Sequence, residues 1–291
     1  MTAPIKEVLD LLNLEKIEEN IFRGVSPKDR VQRVFGGQVL GQALMAANRT
    51  VEERLCHSLH AYFLRAGDPK VPILYEVDRS RDGASFTSRR VVAIQHGRPI
   101  FTLEASFQKD EPGYEHAFER PEVPEPESLK SDDELRAAIA DDVPEEFRSW
   151  ALKPRAIETR PVDPRPYFKP GPRPPHEMAW IRTSGPLPDD PALHRSVAAF
   201  ASDMSIIGTA LLPHGIGWYD ERVQLASLDH AMWFHRPFRI DEWLLFVQDS
   251  PSSSGARGFN RGLLFARDGA LVASVTQEGL MRPTRSAPGK V

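Results

Sequence analysis

The feature that most restricts this chain of 291 residues is a faint doubling. Ser58-Leu-His60-Ala-Tyr-Phe63 echoes Leu228-Asp-His230-Ala-Met-Trp233, and the glycine pairs Gly83/Gly255 and Gly97/Gly269 both lie 172 positions apart. In each half a helical stretch precedes several strand-like runs. Between the halves, Asp110–Pro175 is rich in proline and glutamate, as in Arg120-Pro-Glu-Val-Pro-Glu-Pro-Glu127, which cannot be a buried strand. Two helix-plus-strand units joined by a long connector point to doubled domains packed on each other. The expected divisions are 1–109, a connector 110–179 and a second unit 180–291. The expected class is α+β, an antiparallel sheet wrapped around a central helix in each unit.

In the first unit Val39, Leu40, Ala43, Leu44 and Ala47 recur at helical spacing. Gly37 and Gly41 are poor helix formers there, so their use is close approach to something packed on that face. In the second unit Leu193, Val197, Phe200, Met204, Ile207 and Leu211 alternate in steps of four and three, which predicts one buried stripe of one helix ended near Gly208 or Pro213. Asp203 lies on the edge of that stripe. Periodicity leaves two readings open, an acid that points to solvent or a base held by partners.

A helix is expected over Ile5–Ile17 and a strand over Ile21–Val25. Further strands are expected over Leu59–Leu64, Ile73–Asp78, Phe86–Gln95, Ile100–Phe107, Trp180–Ser184, Val223–His235, Trp243–Gln248, Arg257–Ala266 and Ala270–Met281. His96-Gly97 marks a hairpin turn. Within the connector, Ser131 followed by Glu134 forms the pattern of a capping box, Glu145–Leu152 reads as a short helix and Ile157–Val162 as a strand.

The formal charge of −4 gives no reason to expect nucleic acid or an anionic membrane as partner. One cysteine, Cys56, rules out an intrachain disulfide and suits a reducing compartment, so a cytoplasmic location is expected. Met1–Leu14 carries acids among its apolar residues and does not read as a signal peptide or membrane anchor. There is no Gly-x-Ser-x-Gly elbow, no phosphate loop and no Gly-x-Gly-x-x-Gly. Cys56 and His57 are neighbours on a strand and point to opposite faces, which argues against a dyad. His57 and His60, or His230 and His235, lack the acids and thiols of a closed metal site and read as structural histidines.

Asp229-His-Ala-Met-Trp-Phe-His-Arg-Pro-Phe238, Asp241-Glu-Trp-Leu-Leu-Phe246, Gly255-Ala-Arg-Gly-Phe259 and Val275-Thr-Gln-Glu-Gly-Leu-Met-Arg282 closely resemble the type II acyl-CoA thioesterases, and so does Phe35-Gly-Gly-Gln-Val-Leu-Gly-Gln-Ala43. The resemblance spans nearly the whole chain outside the connector. It implies a double hotdog fold and hydrolysis of acyl-CoA to free acid and coenzyme A, with no metal, cofactor or covalent intermediate. It also implies a catalytic set of an acid, a hydroxyl and an amide, which falls here on Asp203, Ser227 and Gln277. The usual hydroxyl residue of the family is Thr; Ser227 keeps the hydroxyl and lacks the methyl.

Such a set suits the reaction. A thioester carbonyl is open to attack by water if the water is held and partly deprotonated, and a positioned base typically contributes about 10²–10⁴ in rate. Taken singly, Ser227 reads as a locally bonded strand hydroxyl and Gln277 as a surface residue. Gly36, Gly37 and Gln38 at a helix start are candidates for contact with the substrate. Arg89, Arg90, Arg257, Arg261 and Arg282 are candidates for the coenzyme phosphates, with Arg257 and Arg261 preferred, and the Trp233/Phe234 strand for the acyl tunnel. The first unit offers Gln42 where the second has its acid, so one site per chain is expected. Competing readings are a hotdog hydratase or dehydratase, with His230 moving a proton, and a non-catalytic acyl-CoA binder. A homo-oligomer, dimer or tetramer, is expected by analogy only.

Overall fold

The computed structural model describes residues 2–27, 33–142, 145–168, 170–218 and 220–284. The chain opens with α1 (Ala3–Leu12), β1 (Glu15–Glu18) and β2 (Ile21–Gly24). The expected helix over Ile5–Ile17 therefore stops at Leu12, where Ile5, Val8, Leu11 and Leu12 complete its buried face. Next come α2 (Gly36–Asn48), β3 (Leu55–Phe63), β4 (Ile73–Asp82), β5 (Phe86–Gln95) and β6 (Arg98–Gln108). The connector holds α3 (Asp132–Ala137), α4 (Glu145–Leu152) and β7 (Ile157–Pro161). The Ser131 capping box is present: its hydroxyl accepts from the Glu134 N–H, and the Glu134 carboxylate accepts from the Ser131 N–H.

The second half has β8 (His176–Thr183), α5 (Pro191–Ser202), β9 (Val223–Ser227), β10 (Asp229–Phe234), β11 (Leu244–Ser254), β12 (Arg257–Ala266) and β13 (Leu271–Pro283). All the strands join one antiparallel sheet in the order β1-β2-β4-β5-β6-β3-β10-β13-β12-β11-β8-β7, with β9 beside β13. The sheet bends around α2 and α5, which lie against each other inside it. This is the α+β double hotdog arrangement that the resemblance implies.

The halves meet where β3 pairs with β10, His60 opposite Ala231 and Ala61 opposite His230. His230 is buried and His60 exposed, so the two histidines point to opposite faces of the sheet. The match of His60 with His230 is thus out of register. A twofold through an antiparallel join preserves faces, and the inward counterpart of His230 close to the glycine offset is Leu59. Paired residues share a face and consecutive ones do not, so a one-residue slip reverses every assignment.

Gly37 and Gly41 serve helix-on-helix contact. A Cβ on Gly37 would meet the Phe200 carbonyl oxygen at 2.4 Å, and one on Gly41 the Ser196 carbonyl oxygen at 3.1 Å. Bare backbone on α2 lets α5 cross it closely, and α2 is buried on nearly every side because sheet covers the rest.

The buried stripe of the second half is real but does not belong to one α-helix. α5 ends at Ser202, Asp203 is its C-cap with φ −81° and ψ −5°, and Ile206–His214 continues as a 3-10 segment closed by Gly215 in the left-handed region. The stretch Pro191–His214 is long and apolar enough to cross a membrane by composition, yet 78% of its apolar window is buried within the protein.

Candidate active site

Asp203 is held where α5 stops, and only 6% of it is exposed. The C-terminal end of a helix is a poor place for a negative charge. What offsets this is the start of α2, whose Gly37 N–H faces the carboxylate. The two helices run antiparallel, so the N-terminal end of one meets the C-terminal end of the other at this acid.

The strands add two more partners. Ser227, the last residue of β9, donates its hydroxyl to Asp203 Oδ1 at 3.3 Å. Gln277, fully buried on β13, donates its amide Nε2 to the same oxygen. The three residues from separate elements therefore meet at one carboxylate oxygen. The carboxyl is pushed up to about 6, first by burial; the bonds from Gln277, Ser227 and Gly37 and the charge of Arg33 act against that rise.

His230 belongs to this cluster, which the sequence reading missed. Its Nδ1 lies 3.1 Å from Gln277 Nε2 and 3.9 Å from Asp203 Oδ1. Its Nε2 lies 2.9 Å from the hydroxyl of Ser202, which donates to the Ala199 carbonyl oxygen at 2.9 Å. Burial alone drives the imidazole down to about 3, so it is neutral. A lone histidine within an apolar alternation gives no signal in sequence; its partners come from two other elements.

Behind this cluster, Asn260 is paired with Gln277 across β12 and β13. It accepts from the Ala210 N–H at 3.0 Å and donates to the Gln277 carbonyl oxygen at 3.3 Å. It thereby ties the 3-10 segment after Asp203 to the strand that carries the amide. In the first half Leu59 pairs with Ala105, and Ala105 with Arg89. Those three stand where the second half has His230, Gln277 and Asn260. The C-cap of α2, the counterpart of Asp203, is Arg49. Gln42 is not the comparable residue: it lies mid-helix and bonds Leu11, Val25 and Tyr75.

A cavity of about 460 Å³ opens onto the acid, lined on one side by Gly36, Val39, Phe63 and Phe101 and on the other by Asp203, Met204, Ile207 and Ser227, with Arg33 and Arg65 also in its wall. A second cavity of about 430 Å³ adjoins it at Phe35 and Met204 and runs between α1, Phe200 and the segment Lys153–Ile157. Gln38 lines this second cavity; its amide donates to the Val25 carbonyl oxygen and to Ser26 and does not face Asp203.

The arginines favoured in the sequence stand elsewhere. Arg257 is paired with Glu278 at 2.8 Å, and Arg261 with both oxygens of Asp249 at 2.8 and 2.9 Å, all at the surface and outside the cavity with Asp203. Arg89 is buried and donates to Thr50, Arg81, Ser88 and Asp82. Alternation along a strand gives the face of a side chain but not whether a neighbouring acid neutralises it. Trp233 packs edge-on against His60 on the outer face, and Phe234 stacks on Phe238, so neither lines the cavity. Among the described residues no group of three His, Cys, Asp or Glu could hold a metal ion.

Comparison with known proteins identifies the family. A family model described as acyl-CoA thioesterase matches residues 154–280, and one described as acyl-CoA thioesterase N-terminal domain matches 26–108. Acyl-coenzyme A thioesterase 8 of Homo sapiens is 43% identical, over 94% of this chain and 88% of its own length. Acyl-CoA thioesterase 2 of Haemophilus influenzae is 38% identical, over 97% of this chain and 99% of its own. The crystal structure of an acyl-CoA thioesterase II from Mycobacterium marinum, 41% identical, superposes with a TM-score of 0.78 over 96% of this chain and 99% of that one. With both halves matched and these identities holding across the full length, the chain belongs to the type II acyl-CoA thioesterase family.

Proposed function

We propose that this protein hydrolyses acyl-CoA thioesters to free acid and coenzyme A, with Asp203 as base and Ser227 and Gln277 as the groups that hold the water. The observation that carries the reading is the meeting of these three side chains at one buried carboxylate that opens onto a cavity. Water attacks the thioester carbonyl carbon and gives its proton to Asp203. The C–S bond then breaks, and the leaving sulfur takes that proton back from Asp203 to become the thiol of coenzyme A, which leaves the acid ionised again. A carboxyl group held near 6 is ionised at neutral pH and still basic enough to accept that proton. The start of α2 favours negative charge as it grows on the carbonyl oxygen.

The acyl tail passes Met204 and Phe35 into the second cavity, between α1 and the connector. Arg33 and Arg65, at the wall of the first cavity, are the cations best placed for the anionic end of the substrate. The divisions 1–109, 110–179 and 180–291 then acquire separate tasks: the first supplies Gly36 and Gly37, the connector closes the tail cavity, and the last supplies the acid. A hydratase reading needs a free proton carrier, and both nitrogens of His230 are already taken.

Release of free thiol from a panel of acyl-CoAs tests the reading, with Asp203→Asn as control. Thiol release that survives Asp203→Asn defeats the mechanism, and binding without release makes the protein an acyl-CoA binder. We also propose that the protein is cytoplasmic, in keeping with a single, buried cysteine. Self-association into a dimer or tetramer is supported by Tyr62, Leu74 and Phe86, which expose apolar surface on the sheet; sedimentation analysis tests it.

A further inference from the structure

We infer that His230 and Ser202 form a lock that keeps the Gln277 amide in one orientation while Asp203 changes protonation state. This rests on the reading of Asp203 as the base. Ser202 gives its single hydroxyl hydrogen to the Ala199 carbonyl oxygen at 2.9 Å. Its oxygen is then an acceptor for the His230 Nε2–H at 2.9 Å. That network assigns the tautomer, leaving Nδ1 as a bare acceptor. Gln277 Nε2 has two hydrogens, and the two acceptors in reach are Asp203 Oδ1 and His230 Nδ1.

With both hydrogens used, the other end of the amide is fixed too. Gln277 Oε1 is buried and has no protein partner. A buried acceptor left without a partner costs about 1–3 kcal/mol unless water or a ligand fills the role. Here it suits one hydrogen of the attacking water. An ionised Asp203 could hold the amide in this orientation by itself. Once Asp203 has taken the proton, its O–H can equally donate to an amide oxygen, and a half-turn of the amide would put Oε1 against the acid. His230 removes that choice, because Nδ1 can accept from Nε2–H and cannot pair with Oε1. The charged groups that face this cluster are Asp203 on α5 and Arg33 before α2. His230 is therefore a positioning residue for the amide.

Replacement of His230 by Asn and by Leu tests this, with thermal unfolding of each variant as a check on folding. Asn can present its side-chain oxygen where Nδ1 stands, whereas Leu cannot accept a hydrogen bond. The expected result is a kcat lower by about tenfold or more in His230→Leu with KM little changed, and kcat mostly restored in His230→Asn. The pH–rate profile of His230→Leu should also shift to a higher apparent pKa, because a turned amide stabilises the protonated acid. Ser202→Ala should weaken kcat in the wild type and add nothing in His230→Leu, since it acts only through the imidazole. Equal kcat and equal pH profiles in folded Asn and Leu variants would overturn the lock. Failure of the base assignment reads out separately, as thiol release that survives Asp203→Asn.

Discussion

Gly36 lies against Asp203 with no room for a side chain: a Cβ on the glycine would fall 2.7 Å from the carboxylate Oδ2 and 3.0 Å from the Phe63 ring. The acid cannot retreat, because Gln277 and Ser227 hold its other oxygen. Gly36→Ala is therefore expected to fold and to lose activity by about 10²-fold, as a displaced catalytic group does. Gly37→Ala meets the Phe200 backbone instead and should lose stability as well. Thiol-release rates beside thermal unfolding curves separate the two. A Gly36→Ala enzyme with wild-type kcat would mean that the contact is slack.

The raised pKa of Asp203 has two consequences. Activity needs the ionised acid, so kcat should fall as the pH drops through about 6. Arg33 pulls that value down, so Arg33→Ala should move the limb of the profile to higher pH. Stability runs the other way. The folded carboxyl binds its proton more tightly than the unfolded one at its ordinary value of 3.8, so stability is full below about 4 and declines as the pH rises through about 6. Asp203→Asn removes this penalty and should be more stable than wild type at pH 8 by about 1–3 kcal/mol, with the gain gone at pH 4. Denaturant titrations at the two pH values measure it, and an equal difference at both would contradict the assigned cause.

Arg89 was a candidate for the coenzyme and is instead a strut. Its guanidinium satisfies the buried Thr50 hydroxyl and carbonyl at 2.9 and 3.1 Å and pairs with Asp82 at 2.7 Å. Arg89→Met leaves those groups unmatched, at a cost of about 1–3 kcal/mol for each buried one. The variant should unfold at lower temperature while KM for acyl-CoA stays within about twofold at 25 °C, as expected for a change remote from the ligand. A KM rise with unchanged stability would return Arg89 to the binding surface.

The sequence disclosed most of the strands, the two central helices and the glycines of close approach, because alternation and helical spacing are local signals; β1 overlaps the expected first helix, and the single strand expected over Val223–His235 is β9 and β10, parted at Leu228. The residues that meet at Asp203 became visible through the resemblance, since nothing local distinguishes Gln277 from a surface amide. The end of α5 was hidden: the apolar spacing runs on to Leu211, and a 3-10 segment can bury the same side chains as a continued helix. The place of His230 was hidden for another reason. Its role depends on which elements lie beside β10, and the pairing of β10 with β13 joins residues far apart in sequence. The surface ion pairs of Arg257 and Arg261 are likewise products of register.

Met204 follows the acid in sequence and lies where the two cavities adjoin, lining both. It also borders a third hollow whose wall includes Arg155, Arg165 and Glu177. Its side chain is partly buried against the core, so it can yield to a tail that slides past. A rigid, larger residue there should bar the second cavity and leave the first open. Met204→Trp is accordingly expected to lower kcat/KM for long-chain acyl-CoA by about tenfold or more and to change short-chain substrates much less, the scale set by lost apolar contacts in a pocket. Met204→Ala should widen the passage and tolerate bulkier tails. Rates across a series of acyl lengths decide the matter: a loss uniform with length would show that Met204 supports Asp203 and does not select the tail.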